Sequence, residues 1–172
     1  LALVILIAFN ALFVAAEFAF VGVRRTRIEQ LAGAGRARAR LLLNPLSNLE
    51  GTIAATQLGI TMAGLALGWI GEPVLATILE RPVDRLLWFA GPRTADIAAT
   101  AIAFLLVTSL VIIFAELAPK SVALARTEQV AFFVAPPVAI FARIFRPFVW
   151  FLHRSGGLVV RPLGIRPRSS EG

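Results

Sequence analysis

Residues 96–120 read DIAATAIAFLLVTSLVIIFAELAPK, and this stretch decides the fold. From Ile97 to Phe114 it is almost continuous hydrocarbon, relieved only by the hydroxyls of Thr100, Thr108 and Ser109. A helix rising 1.5 Å per residue needs about 20 such residues to cross a bilayer. The run reaches Glu116 while still at membrane depth. A carboxylate there is costly, faces protein or water, and marks a pathway or an ion site. Pro119 follows closely. Its ring clashes with the carbonyl of residue i−4, Ala115, and it offers no N–H in return. A carboxylate and a freed carbonyl therefore lie side by side, which is the beginning of a cation ligand set.

Composition extends this reading to the whole chain. Its 172 residues are 58% hydrophobic and 16% charged, with a mean hydropathy of +0.82. Soluble domains carry roughly 25% charged residues. The fold class expected is all-α and membrane-embedded. Cysteine is absent and His153 is the single histidine, which excludes disulfides, thiolate metal sites and histidine clusters. A bound metal would meet oxygen, which favours Mg2+, Ca2+ or Mn2+. The net charge of +7 is carried almost wholly by arginines that flank apolar runs. That pattern reads as positive-inside topology and attraction to anionic headgroups rather than nucleic-acid binding. With no nucleophile–base pair and no phosphate loop, an enzyme is not expected. The chain opens inside an apolar run without an initiator Met and closes on a linker-like Arg166–Gly172, which reads as a cut-out from a longer protein.

Three spans are expected, from Leu1 to about Val23, from about Gly51 to Ile70 and from about Asp96 to Leu117. Arg24, Arg25, Arg27, Arg36, Arg38 and Arg40 place the first loop in the cytoplasm. Lys120 and Arg126 do the same for the segment after the third span. The mixed-charge segment between spans two and three suits the outside. Ile28–Leu43 reads as an amphipathic hairpin. Val74–Ala90 reads as a short external helix pair broken at Pro82, with Trp69 and Trp88 in an aromatic belt. Val130–Leu152 is apolar but holds Pro136, Pro137, Arg143, Arg146 and Pro147, so it reads as helices at the cytoplasmic interface rather than a fourth span. The division expected is a three-span core over 1–127, a juxtamembrane helical belt over 128–165 and the start of a linker over 166–172. The chain would sit in the plasma or inner membrane, N-terminus out and C-terminus in the cytoplasm.

Counting depth gathers the polar residues. Glu17 lies seven residues before Arg24, Gln57 six after Gly51 and Glu116 four before Lys120. All three fall within roughly 6–11 Å of one membrane face. Helical spacing places Asn10 with Glu17, Gln57 with Thr61, Gly64 and Gly68, and Ser109 with Glu116, each set on one face. Bundling is expected to turn these stripes inward. Ala11, Ala15 and Ala19, and likewise Gly64 and Gly68, are small-residue ridges that suit close helix packing. The metal-ligand candidates are Glu116, the Ala115 carbonyl, Gln57, Thr61 and Glu17. Pro119, Gly64, Gly68 and Ala15 are the expected packing residues. Such an oxygen-rich, negative cavity suits a divalent cation or an organic ammonium.

Five segments carry a family likeness. They are Phe13–Ala19 (FVAAEFA), Arg24–Leu31 (RRTRIEQL), Thr56–Thr61 (TQLGIT), Gly68–Pro73 (GWIGEP) and Glu116–Ser121 (ELAPKS). In this order they resemble the transmembrane domain of the CNNM/CorC family, whose bacterial members are called hemolysin-like. The resemblance covers essentially the whole chain. It implies three spans, a juxtamembrane belt, a homodimer, and cytosolic CBS-pair and CorC-type domains after Gly172. It also implies Mg2+ transport, mostly efflux, with Na+ as counter-ion. In magnesium-binding members a Ser-Gly-Ser-like stretch, asparagines and a Gly-Glu pair surround the ion. Glu116 matches that Glu and Ala115 the adjoining carbonyl. Val14 and Ala16 stand at the serine positions. The asparagine positions fall near Ile60, Thr61 and Gly64, and of these only Thr61 keeps an oxygen. The Val-Ala-Ala-Glu branch includes members linked to cadaverine or putrescine export. The functions expected are therefore export of a divalent cation, Mg2+ first, then diamine export, then a regulatory membrane subunit that transports nothing.

Overall fold

A computed structural model describes the backbone of residues 1–86 and 92–160, and within these the side chains of all but 72, 75, 76, 78–86, 92–96, 99, 103, 153 and 156–160. All regular structure among the described residues is helical. The order is α1 (Ala2–Gly22), α2 (Arg25–Gly33), α3 (Ala37–Ser47), α4 (Leu49–Leu86), α5 (Pro92–Leu110), a π-helical segment (Val111–Leu117), α6 (Ala118–Ala125), α7 (Thr127–Ile144) and α8 (Arg146–Val160). Of the expected features, residues 87–90 of the external helix pair with Trp88, residues 161–165 of the juxtamembrane belt and the linker over 166–172 lie outside the described residues.

The amphipathic hairpin is present as α2 and α3. Ile28, Leu31, Ala32, Ala39, Leu42 and Leu46 are its buried side chains. It turns at Gly35, whose φ of +85° is open to glycine without steric penalty. The Arg36 N–H donates to the Leu31 carbonyl and the Gly35 N–H to the Ala32 carbonyl, so a Schellman pair closes α2. Asn48 opens α4, its Oδ1 accepting the Gly51 N–H at 3.2 Å. Thr52 Oγ1 lies within hydrogen-bond distance of both the Pro45 and Asn48 carbonyls, at 3.0 and 2.9 Å, and ties the end of α3 to the start of α4.

Helix α4 departs from expectation. It runs unbroken through Pro73 and Pro82 to Leu86, so the external helix pair is instead a continuation of the second span. A proline removes one intrahelical bond and crowds one carbonyl. The leucines and alanine around Pro73 and Pro82 are good helix formers, and the helix continues past both.

The chain divides into two compact units. One comprises Leu1–Leu12 and Ile60–Pro119, the other Phe13–Gly59 and Lys120–Gly172. In the first, a methyl placed on Gly71 would meet Leu3 at 3.0 Å and Val107 at 3.3 Å, so α1, α4 and α5 approach closely there. In the second, Phe13 is the centre. Its ring meets that of Phe141 edge-on at 4.6 Å between centroids, and it fills the space against Gly59, where a Cβ would come within 2.6 Å of the ring. Helix α7 buries Ala131, Val134, Ala135, Val138 and Phe141.

Four helices among the described residues are long and apolar enough to cross a membrane: Ala2–Gly22, Leu49–Gly71, Thr100–Ala125 and Thr127–Ile144. The last was expected to lie at the interface, so length and composition add one candidate to the three. The stretch read as Val130–Leu152 is not one helix, since α7 ends at Ile144 and α8 begins at Arg146. Large side chains stay exposed along these helices, including Leu65, Trp69, Phe104, Leu105, Phe114 and Phe133. Lipid is the solvent in which such surfaces are stable, and helices satisfy their own backbone groups there. This is an integral membrane protein.

Candidate ion site

Glu116 sits in the π-helical segment Val111–Leu117. The Ala118 N–H donates to the Ile113 carbonyl, five residues back instead of four. Wide turns of this kind are rare and concentrate at functional positions. Pro119 explains why one forms here. In a four-residue register its ring would press on the Ala115 carbonyl, and widening the preceding turn moves that carbonyl away. The wide register changes the accounting of free oxygens. Following the bond at Ala118, the next carbonyl in sequence is that of Phe114, and Pro119 has no N–H to give it. Pro119 therefore supplies nothing to either Phe114 or Ala115, the two carbonyls preceding Glu116.

The Glu116 side chain is exposed on the surface of the chain, while Ala115 is fully buried. Glu116 has no hydrogen-bond or ion-pair partner among the described residues. Lys120, four residues on, turns elsewhere: its ammonium lies 4.5 Å from the centre of the Phe18 ring. That contact is a cation–π interaction in the second unit.

The other expected residues fall in both units. Thr61, Gly64, Gly68, Ala115, Glu116 and Pro119 belong to the first, and Ala15, Glu17 and Gln57 to the second. Glu17 is half-buried. Gln57, Thr61, Gly64 and Gly68 do share one face of α4, as their spacing requires, but that face is exposed. The expectation that the polar stripes turn inward within the chain is corrected for this face and for Ser109 with Glu116, which are both exposed, whereas Asn10 is buried and Glu17 half-buried. Helix α4 instead buries Thr52, Ala55, Thr56, Ala63 and Leu67, mostly small side chains that let helices approach closely, while Met62, Leu65 and Trp69 stay exposed. The two threonines there satisfy their own hydroxyls, Thr56 by donating to the Ile53 carbonyl at 2.8 Å. Among the described residues nothing lies within 4 Å of a Cβ built on Gly64 or Gly68, so this ridge makes no close approach to any of them. Gly59 and Gly71 make it instead. Ala15 is half-buried, while its ridge neighbour Ala19 is fully buried.

One polar residue was left off the expected ligand set. Asn10 is 5% exposed, and its Oδ1 is buried without a hydrogen-bond partner among the described residues. Its presence within the first span, seven residues from Glu17, was the available signal. Among the described residues no group of three or more His, Cys, Asp or Glu side chains gathers as a metal cluster. A cation here would rely on one or two carboxylates with amide, hydroxyl and backbone oxygens.

The class defined by this fold is a multi-helix membrane domain with an acidic π-helical turn in one of its apolar helices. The family profile described as "Cyclin M transmembrane N-terminal domain" matches residues 1–172, and the chain belongs to this CNNM family. The family is generally associated with membrane metal-ion transport. Relatives include UPF0053 protein YhdT of Bacillus subtilis, 39% identical over 97% of this chain and 36% of that protein. UPF0053 protein YugS of the same organism is 38% identical over 95% of this chain and 38% of its own length. UPF0053 protein sll0260 of Synechocystis is 33% identical over 97% of this chain and 37% of its own. The chain thus spans little more than a third of the length of these relatives.

Proposed function

We propose that this domain exports a divalent cation, Mg2+, by exposing a site at Glu116 alternately to the two sides of the membrane. The observation that supports this reading most is the carboxylate itself, unpaired among the described residues and set in a π-helical turn within an apolar helix. Glu116 supplies the charge. The Phe114 and Ala115 carbonyls, Thr61 and Asn10 are the oxygens of the same unit proposed to complete the shell, while Gln57 and Glu17, also expected as ligands, belong to the other unit. Na+ is the counter-ion. Two copies of the chain form the working unit, joined through the exposed Gln57–Gly68 face of α4. The N-terminus lies outside and the C-terminus in the cytoplasm.

Proteoliposomes holding the chain and a Mg2+-sensitive dye test this directly. Wild type carries Mg2+, and Glu116→Gln abolishes the flux. A titration with Mn2+ reads the site itself, and Glu116→Gln should weaken it by at least about tenfold, since ligand charge sets hard-cation affinity.

A second reading, export of a diamine, is favoured by one observation. Val14 and Ala16, which stand at the family's serine positions, are apolar and buried, so the neutral oxygen shell on α1 is thin. An alkyl-diammonium needs only a counter-charge at each end and a few acceptors. Putrescine flux without Mg2+ flux in the same vesicles decides for it. Absence of any flux, with loss of the dimer on Glu116→Gln, decides for a regulatory subunit instead.

A further inference from the structure

A second polar feature lies away from Glu116, entirely within the unit formed by Phe13–Gly59 and Lys120–Gly172. A cavity of about 630 Å3 opens there, lined by Gly22, Val23, Arg24, Arg27 and the run Ala125–Gln129. Its volume falls in the range of small-molecule sites. Three arginines, Arg24, Arg27 and Arg126, line it together with one acidic residue, Glu128. Arg27 is already engaged with Glu128 at 3.7 Å. Arg24 and Arg126 have no acidic partner among the described residues. Two unpaired guanidiniums in one pocket suit a phosphate, which they can grip through paired N–H groups.

The position of the pocket selects the source of that phosphate. The apolar helices Ala2–Gly22 and Thr100–Ala125 end at it, and Thr127–Ile144 begins at it. Apolar spans end where headgroups begin, so the cavity is at headgroup level. The approach is tight: a Cβ on Gly22 would meet Thr127 Cγ2 at 3.1 Å, so the two helix ends lie close together where both line the pocket. The N–H groups of the first turn of α7 add donors at the same place. We propose that this pocket binds the phosphate of an anionic phospholipid headgroup. Basic pockets between helix ends are general sites for such lipids.

Native mass spectrometry of the purified chain, titrated with phosphatidylglycerol and with phosphatidylcholine, tests it. Phosphatidylglycerol adducts should predominate. Arg24→Gln with Arg126→Gln should lower their affinity about thirtyfold, the effect of two near-surface cations. Arg38→Gln with Arg40→Gln, which removes two exposed arginines outside the pocket, should leave it unchanged. Lysine at positions 24 and 126 keeps the charge but not the paired N–H grip and should bind more tightly than the glutamine pair and less tightly than wild type, which guards against a glutamine pair that fails to fold. Equal loss in the Arg38/Arg40 pair, or equal binding of phosphatidylcholine, overturns the proposal. Inorganic phosphate bound at this pocket with no lipid adduct overturns the lipid assignment.

Discussion

At the scale of single residues, the chain separates groups that hold the fold from groups that do not. Gly59 is of the first kind. Its missing side chain is the space that the Phe13 ring occupies. Gly59→Ala should destabilise the protein by about 1–3 kcal/mol, the usual result of overpacking a filled core. Thermal unfolding in detergent, followed by circular dichroism, reads this, and an unchanged melt would show that Phe13 can move aside. Asn10 is of the second kind. A buried oxygen without a partner among the described residues lowers stability, so its presence calls for a use. Asn10→Leu should raise the melting temperature or leave it level while reducing cation flux. Unchanged flux would remove Asn10 from the ligand set. Glu116 belongs beside it: its charge could be recognised in sequence as misplaced, whereas the wide turn that presents it could not. The proline rule names one crowded carbonyl, but the surrounding backbone chooses how to relieve it.

At the scale of elements, hydropathy was a good guide to where helices lie and a poor one to where they stop. Span one and the Arg-rich hairpin could be read from apolar periodicity and charge. Pro73 and Pro82 looked like breaks, yet α4 continues through both. The break in the following apolar stretch comes at Phe145, between α7 and α8, rather than at Pro136–Pro137. Proline is a local penalty, and a long helix with favourable neighbours absorbs it. Whether α7 crosses the bilayer fixes the side on which α8 lies. The chain contains no cysteine, so Ser155→Cys introduces a single reporter. With α7 at the interface, a membrane-impermeant thiol reagent labels position 155 from the cytoplasmic side only. Labelling from outside alone would make α7 a fourth span.

At the scale of the whole molecule, the exposed face of α4 is the informative surface. Gln57, Thr61, Gly64 and Gly68 line it, and two glycines with open space above them offer a second helix a close approach. Gly64→Ile should convert a dimer to a monomer in cross-linking or light scattering and leave the melt of the isolated chain little changed. A dimer that survives the isoleucine would place the contact elsewhere.

The sequence by itself determined the solvent and the chemistry. Apolar runs of membrane length dictate helices in lipid, and the absence of cysteine with a single histidine restricts any metal to oxygen ligands. Tertiary structure decided which faces those helices hide. Spacing puts residues on a common face, but the direction of that face depends on which stripe fits closely against its neighbours. On α4 the small-residue stripe packs and the Gln57–Gly68 stripe is left outside. The arginine pocket at the helix ends likewise arises from a backbone path that brings distant segments together, which no periodicity within one segment records. The widened turn at Glu116 is local, and the backbone around Pro119 sets its form.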